Sequence, residues 1–519
     1  MASQTNTLPM RAGAAASSRS VVGREWLLLT LLVVAAFLVR FSIEPVNTIF
    51  YDEAVNVTLG QEVLAGDFSQ NATAWTFGSY LYPLTAGAAK AVGGEAGLRL
   101  WSAALSIVTL LAVYGTARQL FGPRPALWAA LLFGLAGNSI SLGQLAVYDA
   151  LSVPLLALAL LAMARAAYAD AARASRAYLL AAGALYSLSV LSKYIALLYF
   201  PALFLAGLAL FIGRGRALRP LFTQFLPAAL LILGVYLALN HEALVFMFTN
   251  SSTLLRVEGS RADILAAIGA ESGLLLLAAL VGVWFLRAAA IVPAGRRARW
   301  PLALLAPALL LAAFAAPLYQ YAAFNIQSLW KHLVFSALFL APLAGFGIDQ
   351  LAQRARAPGR RALALRLAYA AALVLLVGSF VKAGLDRNWG LQHSWPNASG
   401  AIAWLRGLDW NLDMRVLAEQ SAVYEYYFDL GPNDRDVWSN TFYLEYRDSK
   451  DLDGMVRAVS DRYYNYVILD DYYTPEKNTA IEAALLQSGY AEVYRDPEPQ
   501  QLSTGQTSII RIYERRGAP

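Results

Sequence analysis

About eleven runs of apolar residues, each close to the roughly 20 residues an α-helix needs to cross a bilayer, leave this chain few ways to fold. They lie near 26–43, 98–119, 124–142, 149–167, 177–191, 195–213, 219–239, 271–289, 301–321, 330–350 and 363–383. Inside hydrocarbon every backbone N–H and C=O needs a partner within the protein, so runs of this length are read as helices. Charged residues make up 15% of the 519 positions, against the roughly 25% usual in soluble domains, so the bulk of the chain is built for lipid. Cysteine is absent, which removes disulfides, thiolate metal sites and cysteine nucleophiles from consideration.

The charge is unevenly placed. Residues 1–383 hold 28 Lys and Arg against 14 Asp and Glu, and residues 384–519 hold 13 against 21. Alternate loops carry the cations: Arg118 and Arg124, then Arg165, Arg173 and Arg176, then Arg214, Arg216 and Arg219, then Arg287, Arg296, Arg297 and Arg299, then Arg354, Arg356, Arg360, Arg361 and Arg366. The opposite loops hold most of the acids, among them Asp52, Glu53, Glu62, Glu95, Asp149, Glu242 and Asp263. Cytoplasmic loops collect Lys and Arg, so the basic balance reports membrane orientation and not nucleic-acid binding. The first run lacks a small-residue cleavage signature and is read as an uncleaved span. Residues 1–24 are then a cytoplasmic tail, and eleven spans place the C-terminus on the outer face of the cell (inner or plasma) membrane.

The expected organisation is a transmembrane domain over 25–383 and a soluble α/β domain over 384–519. A long external loop, 44–97, is semi-apolar, with Trp75, Phe77, Tyr80 and Tyr82, and is expected to lie flat in the interface. A second, about 240–270, carries His241, Glu242, Arg256, Glu258 and Arg261. In the tail, helix is expected at 398–408, 454–464 and 475–488, and strand at 414–418, 466–469 and 508–514. Its five tryptophans and thirteen tyrosines invite a sugar-stacking reading, with Tyr424, Tyr426 and Tyr427 as the cluster of interest, although an ordinary core would use about half of them.

Ionisable groups at span ends are costly near lipid and carry the chemistry. Asp52 and Glu53 follow the first span, Asp149 opens another, Lys193 lies between Ser192 and Tyr194, and Lys331 and His332 open the tenth. Helix capping accounts for each carboxylate taken singly, and snorkelling for each lysine. Together on one face they suit one chemical purpose, holding a phosphate while deprotonating a group beside it.

In order and topology, Asp52-Glu53, the stretch Gly78 to Leu84, Arg99, Asp149, Ser192-Lys193-Tyr194 and Lys331-His332 resemble the GT-C fold membrane glycosyltransferases over about 25–383. Within that class the chain is most similar to the dolichyl-phosphate-mannose protein mannosyltransferase group and its bacterial relatives, the aminoarabinose lipid A transferases. It departs from them at Tyr80-Leu81-Tyr82-Pro83, which lacks the lysine and second proline of the aminoarabinose type, and at Lys331-His332, where many relatives have Arg-Tyr. The resemblance implies sugar transfer from a polyprenyl-phosphate donor to a glycan, lipid or protein hydroxyl at the outer face, with inversion. It implies Asp52 as general base, with Glu53 and Asp149 as supporting carboxylates. Lys193, Lys331, His332, Arg99 and Arg40 would then face the donor phosphate, and Tyr82, Tyr148, Tyr194 and Glu242 the substrates. The resemblance implies no nucleotide sugar and names no certain cofactor. A divalent cation held by two carboxylates and His332 is the minor alternative, since no ligand spacing supports it.

The rival from another class is a transporter or a flippase of lipid-linked sugars. A transporter predicts broken helices and charges near mid-span, whereas these charges sit at span ends.

Overall fold

A computed structural model describes residues 12–41, 47–251, 259–291, 300–326, 328–356, 362–429, 437–442 and 444–517. Arg256, Glu258, Arg296, Arg297, Arg299, Arg360 and Arg361 lie outside the described residues. Within the described residues each apolar run of the sequence is helical. Among the described residues nine helices are long and apolar enough to span a membrane, or ten if Pro123–Leu135 and Gly137–Gln144, bent by 64°, are one broken span. The first run falls in the Ala12–Arg40 helix, which is not among them.

The Leu329–Arg356 helix is the centre of the bundle, almost wholly buried among Arg261–Ile291, Trp300–Ala323 and Pro123–Leu135. Small residues allow this. Gly347 meets Gly282 so closely that a methyl group on either would strike the other helix's backbone. With lipid tails outside, such backbone approach, and not water exclusion, holds helices together. The outer helices Leu226–Phe246 and Ala362–Gln392 leave large apolar side chains uncovered, among them Leu231, Leu239, Val374 and Leu375. In water that surface would cost about 25 cal/mol per Å², but hydrocarbon is its natural solvent.

The 44–97 region is largely helical. It contains Tyr51–Leu64, Ala72–Trp75 and the first half of Leu81–Phe121, a helix that breaks at Gly94, where φ is 61°.

The tail forms a five-stranded mixed sheet in the order Trp438–Asn440, Val416–Ala418, Tyr466–Leu469, Arg511–Arg515, Tyr490–Arg495. The first three strands are parallel, and Arg511–Arg515 runs antiparallel to both of its neighbours. Helices Asp451–Ser460 and Pro475–Gln487 cover one face over Leu417, Val467 and Leu469. Burial on both faces explains why these strands read as unbroken apolar runs. The sequence expectations for this region hold to within a few residues, with Trp438–Asn440, Tyr490–Arg495 and the Ser421–Phe428 helix as elements they omitted.

Candidate functional site

Asp52 and Glu53 sit in the first turn of the Tyr51–Leu64 helix, where negative charge complements the exposed backbone N–H groups. Phe50 is extended, and its N–H donates to Glu53 Oε2 at 3.0 Å, which fixes where the helix begins. Glu53 is fully buried. Its Oε1 accepts from Arg99 and, at 2.6 Å, from the Ala146 N–H, while Arg99 also donates to the Gln144 carbonyl at 2.8 Å. Glu53 therefore ties the helix to the segment just after the broken span, and Arg99 is its counter-charge.

Asp52 points the other way and pairs with Lys331, whose side chain is 3% exposed against 34% for Asp52. Asp149, fully buried, pairs through Oδ2 with Lys193 Nζ at 2.6 Å. Its Oδ1 has no protein partner, and neither ring nitrogen of His332 has one. Lys193 lies 4.5 Å above the Tyr148 ring, and Lys331 lies 5.3 Å from the Phe50 ring. Lys193 feels the charges of Lys331 and Asp52, and His332 feels those of both lysines, so the four span-end clusters of the sequence form one group.

The loop at Gly78 holds Lys193 in place. Ser79 N–H donates to the Leu191 carbonyl at 2.7 Å, and Tyr194 N–H to the Phe77 carbonyl at 3.0 Å. A Cβ on Gly78 would overlap the Ser192 carbonyl. Phe77 accepts a left-handed backbone, φ 55°, to make this turn, a conformation that costs about 1–3 kcal/mol and persists only where its surroundings enforce it.

Other expected site residues are engaged with the protein itself or lie apart from the lysine–carboxylate pairs. Arg40 is 1% exposed and donates to Ser106, Ser139 and the carbonyls of Ala36 and Gly134, so it braces helices and is not presented to a phosphate. The Tyr194 hydroxyl is engaged with the Gly78 carbonyl and the Tyr236 hydroxyl, both at 2.8 Å. Glu242 lines an open groove of about 740 Å³ with Asn71, Trp75, Asn240, His241 and Phe246. Tyr82 is fully buried beside Glu53 and Arg99.

Tyr424, Tyr426 and Tyr427 form no exposed sugar-stacking platform. Tyr424 is core, stacked on Trp438, Tyr426 lies under Lys90 at 3.2 Å, and the Tyr427 hydroxyl accepts from the Ile49 N–H at 3.0 Å. Tyr426 and Tyr427 are used to dock the tail on the membrane domain, a role that aromatic content alone does not distinguish from sugar binding.

Asp52 and Asp149 each have a lysine as counter-charge, and among the described residues no three His, Asp or Glu side chains gather into a metal-holding group.

A helical membrane domain closed around these lysine–carboxylate pairs, with a small mixed sheet docked above them, has the GT-C fold of the membrane glycosyltransferases. Residues 81–258 match the family model of dolichyl-phosphate-mannose-protein mannosyltransferase. The chain is similar to ArnT from Cupriavidus metallidurans in the apo state, with a TM-score of 0.61 at 16% identity over 95% of this chain and 98% of that one. The same protein bound to undecaprenyl phosphate gives a TM-score of 0.56 at 16% identity, with the same coverage of both chains. The oligosaccharyltransferase AglB from Archaeoglobus fulgidus, in complex with an inhibitory peptide and a dolichol-phosphate, gives 0.56 at 13% identity over 93% of this chain and 74% of that one. No curated protein sequence matches the chain.

Proposed function

We propose that the chain transfers a sugar from a polyprenyl-phosphate donor to an acceptor hydroxyl at the outer face of the membrane, the face on which the mixed-sheet domain sits. The observation that carries this reading is the double pairing of Asp52 with Lys331 and Asp149 with Lys193 around a histidine that has no hydrogen-bond partner. Two buried cations at one end of a bundle suit a phosphate on a lipid tail. When the phosphate enters, it takes over the lysines and leaves Asp52 free to act as a base.

The acceptor oxygen attacks the anomeric carbon as the bond from that carbon to the phosphate oxygen breaks, and its proton passes to Asp52. The electron pair leaves on the polyprenyl phosphate, whose growing negative charge Lys193 and Lys331 stabilise without having to reorganise. A single displacement inverts the anomeric centre, through an oxocarbenium-like transition state. Asp149 orients Lys193, and Glu53 fixes the helix that carries Asp52. No step passes through a metal ion or cofactor.

The broken span at Ala136 is a feature shared with the transporter reading. Here, however, the backbone groups that follow the break, Gln144 C=O and Ala146 N–H, are taken by Arg99 and Glu53 and are not left for a solute.

The test is transfer by the purified protein in detergent, using a panel of radiolabelled polyprenyl-phosphate sugars with a membrane extract as acceptor and the Asp52→Asn variant alongside. Label moved by the wild type alone supports the reading. Equal transfer by both proteins removes Asp52 from the chemistry.

A further inference from the structure

We propose that the C-terminal domain sets the position of the base, with Tyr473 and Phe442 as positioning residues that act on Asp52 through Tyr51; this rests on the function proposed above. Every residue in the five before Asp52 is held by a residue beyond position 390. Asn47 Nδ2 donates to the carbonyls of Gln392 at 3.2 Å and Trp395 at 2.8 Å. Trp395 Nε1 donates to the Thr48 carbonyl at 2.9 Å, and the Ala398 N–H to the Thr48 hydroxyl at 3.2 Å. Ile49 N–H donates to the Tyr427 hydroxyl, and the Phe50 ring lies 5.1 Å from that of Trp395. Tyr51 completes the series, its ring edge-on to Phe442 at 5.5 Å and to Tyr473 at 5.3 Å, with those two rings 5.1 Å from each other. The next residue is Asp52.

The clamp has its own rigid support. Val416–Ala418 and Tyr466–Leu469 are adjacent parallel strands, and their carboxyl ends lead into Glu419 and Asp470. Glu419 is fully buried, and the chain from Asp470 to Thr474 wraps its carboxylate. Oε1 accepts from the backbone N–H groups of Asp470 at 2.8 Å and Asp471 at 2.9 Å. Oε2 accepts from those of Tyr472 and Tyr473 at 3.2 Å and Thr474 at 3.1 Å. Successive N–H groups converging on one anion make a stiff turn, and Tyr473 projects from it. Asp52 is partly exposed and has a single ion-pair partner, so its own contacts fix it less than Glu53 is fixed. A base displaced by about 1 Å loses on the order of 100-fold in rate, so a clamp one residue away matters. Mere attachment of a domain would need none of its contacts to converge on the five residues that lead into a helix carrying the base.

The experiment compares Tyr473→Ala with Tyr473→Phe in the full chain, in detergent, with the lipid-linked sugar that supports transfer. Turnover, donor affinity, melting temperature and amide hydrogen exchange over 47–56 are all read. The expected result for Tyr473→Ala is a loss of turnover of about ten-fold or more with donor affinity and melting temperature near wild type, and faster exchange confined to 47–56. Tyr473→Phe, which keeps the ring, restores both turnover and protection. Unchanged exchange over 47–56 in Tyr473→Ala overturns the proposal whether or not transfer is detected, and so does a turnover loss matched by a fall in melting temperature. Asp52→Asn separates the two ways of failing. If that variant keeps full turnover, the reading of Asp52 as base falls and the positioning role falls with it. If Asp52→Asn is inactive while Tyr473→Ala turns over normally, only the positioning role falls.

Discussion

The ammonium of Lys331 sits on the carboxylate of Asp52, although 279 positions separate the two residues in the chain. The pair joins the most buried helix of the bundle to the first turn of a helix that does not cross it. In the resting protein it neutralises both a buried cation and the base that catalysis needs.

Asp52→Asn should therefore lower turnover by roughly 10²–10⁴-fold, the usual contribution of a general base. Donor binding should survive, because Lys331 keeps its charge. Transfer rates alongside binding of a labelled polyprenyl phosphate check this, and a parallel loss of both would assign Asp52 to donor binding instead.

Asp149 and Lys193 are both buried, so breaking the pair from one side strands a charge. Lys193→Met is expected to destabilise the protein by about 3–5 kcal/mol. Combining it with Asp149→Asn should recover much of the melting temperature without recovering transfer. If the double variant melts as low as the single one, the pair is not the source of the loss.

For Arg40→Met the expected outcome is lost stability with donor affinity unchanged. Each buried acceptor it leaves unpaired costs about 1–3 kcal/mol. Melting and polyprenyl-phosphate binding separate the two effects, and a selective fall in donor affinity would return Arg40 to the site.

Gly78→Ala should act on Lys193, since the added Cβ meets the Ser192 carbonyl and the loop must shift. We expect turnover to fall by about ten-fold or more, in line with the sensitivity of catalysis to small displacements. Normal turnover in this variant would show that the 77–79 loop does not set the lysine.

Asp470 gives the C-terminal domain a pH dependence. Burial, and then the charge of Glu419 beside it, push its carboxyl well above the usual carboxylate range. The folded state thus holds a proton that the unfolded state releases near pH 4. The domain loses stability as pH rises from about 4 through the folded value, and gains it as pH falls back. Asp470→Asn should raise melting at neutral pH and flatten the slope of stability with pH above about 4. A slope unchanged from wild type would exclude Asp470 as its source.

Much of the architecture is already present in the chain's own pattern. Apolar runs of bilayer length force helices because lipid offers the backbone no partners, and the jump in charge beyond residue 383 marks where water becomes the solvent. Asp52, Glu53, Asp149, Lys193 and Lys331 stand out for a related reason, since a charge at the end of an apolar run needs a cause. Pairing is another matter. Nothing in the local sequence says that Lys331 meets Asp52, that Lys193 meets Asp149 across 44 positions, or that Glu53 takes Arg99 and leaves Asp52 exposed. Arg40 and Arg99 look alike as span-end arginines, yet one braces helices and the other neutralises a carboxylate. The aromatic residues of the tail likewise gain their meaning from what they touch: Tyr427, Trp395, Phe442 and Tyr473 close on residues 47–51. Hydrophobic periodicity is a property of neighbours in sequence and sets the helices, whereas a charge or a ring acts on whatever lies within a few ångströms, and only the packed bundle decides what that is.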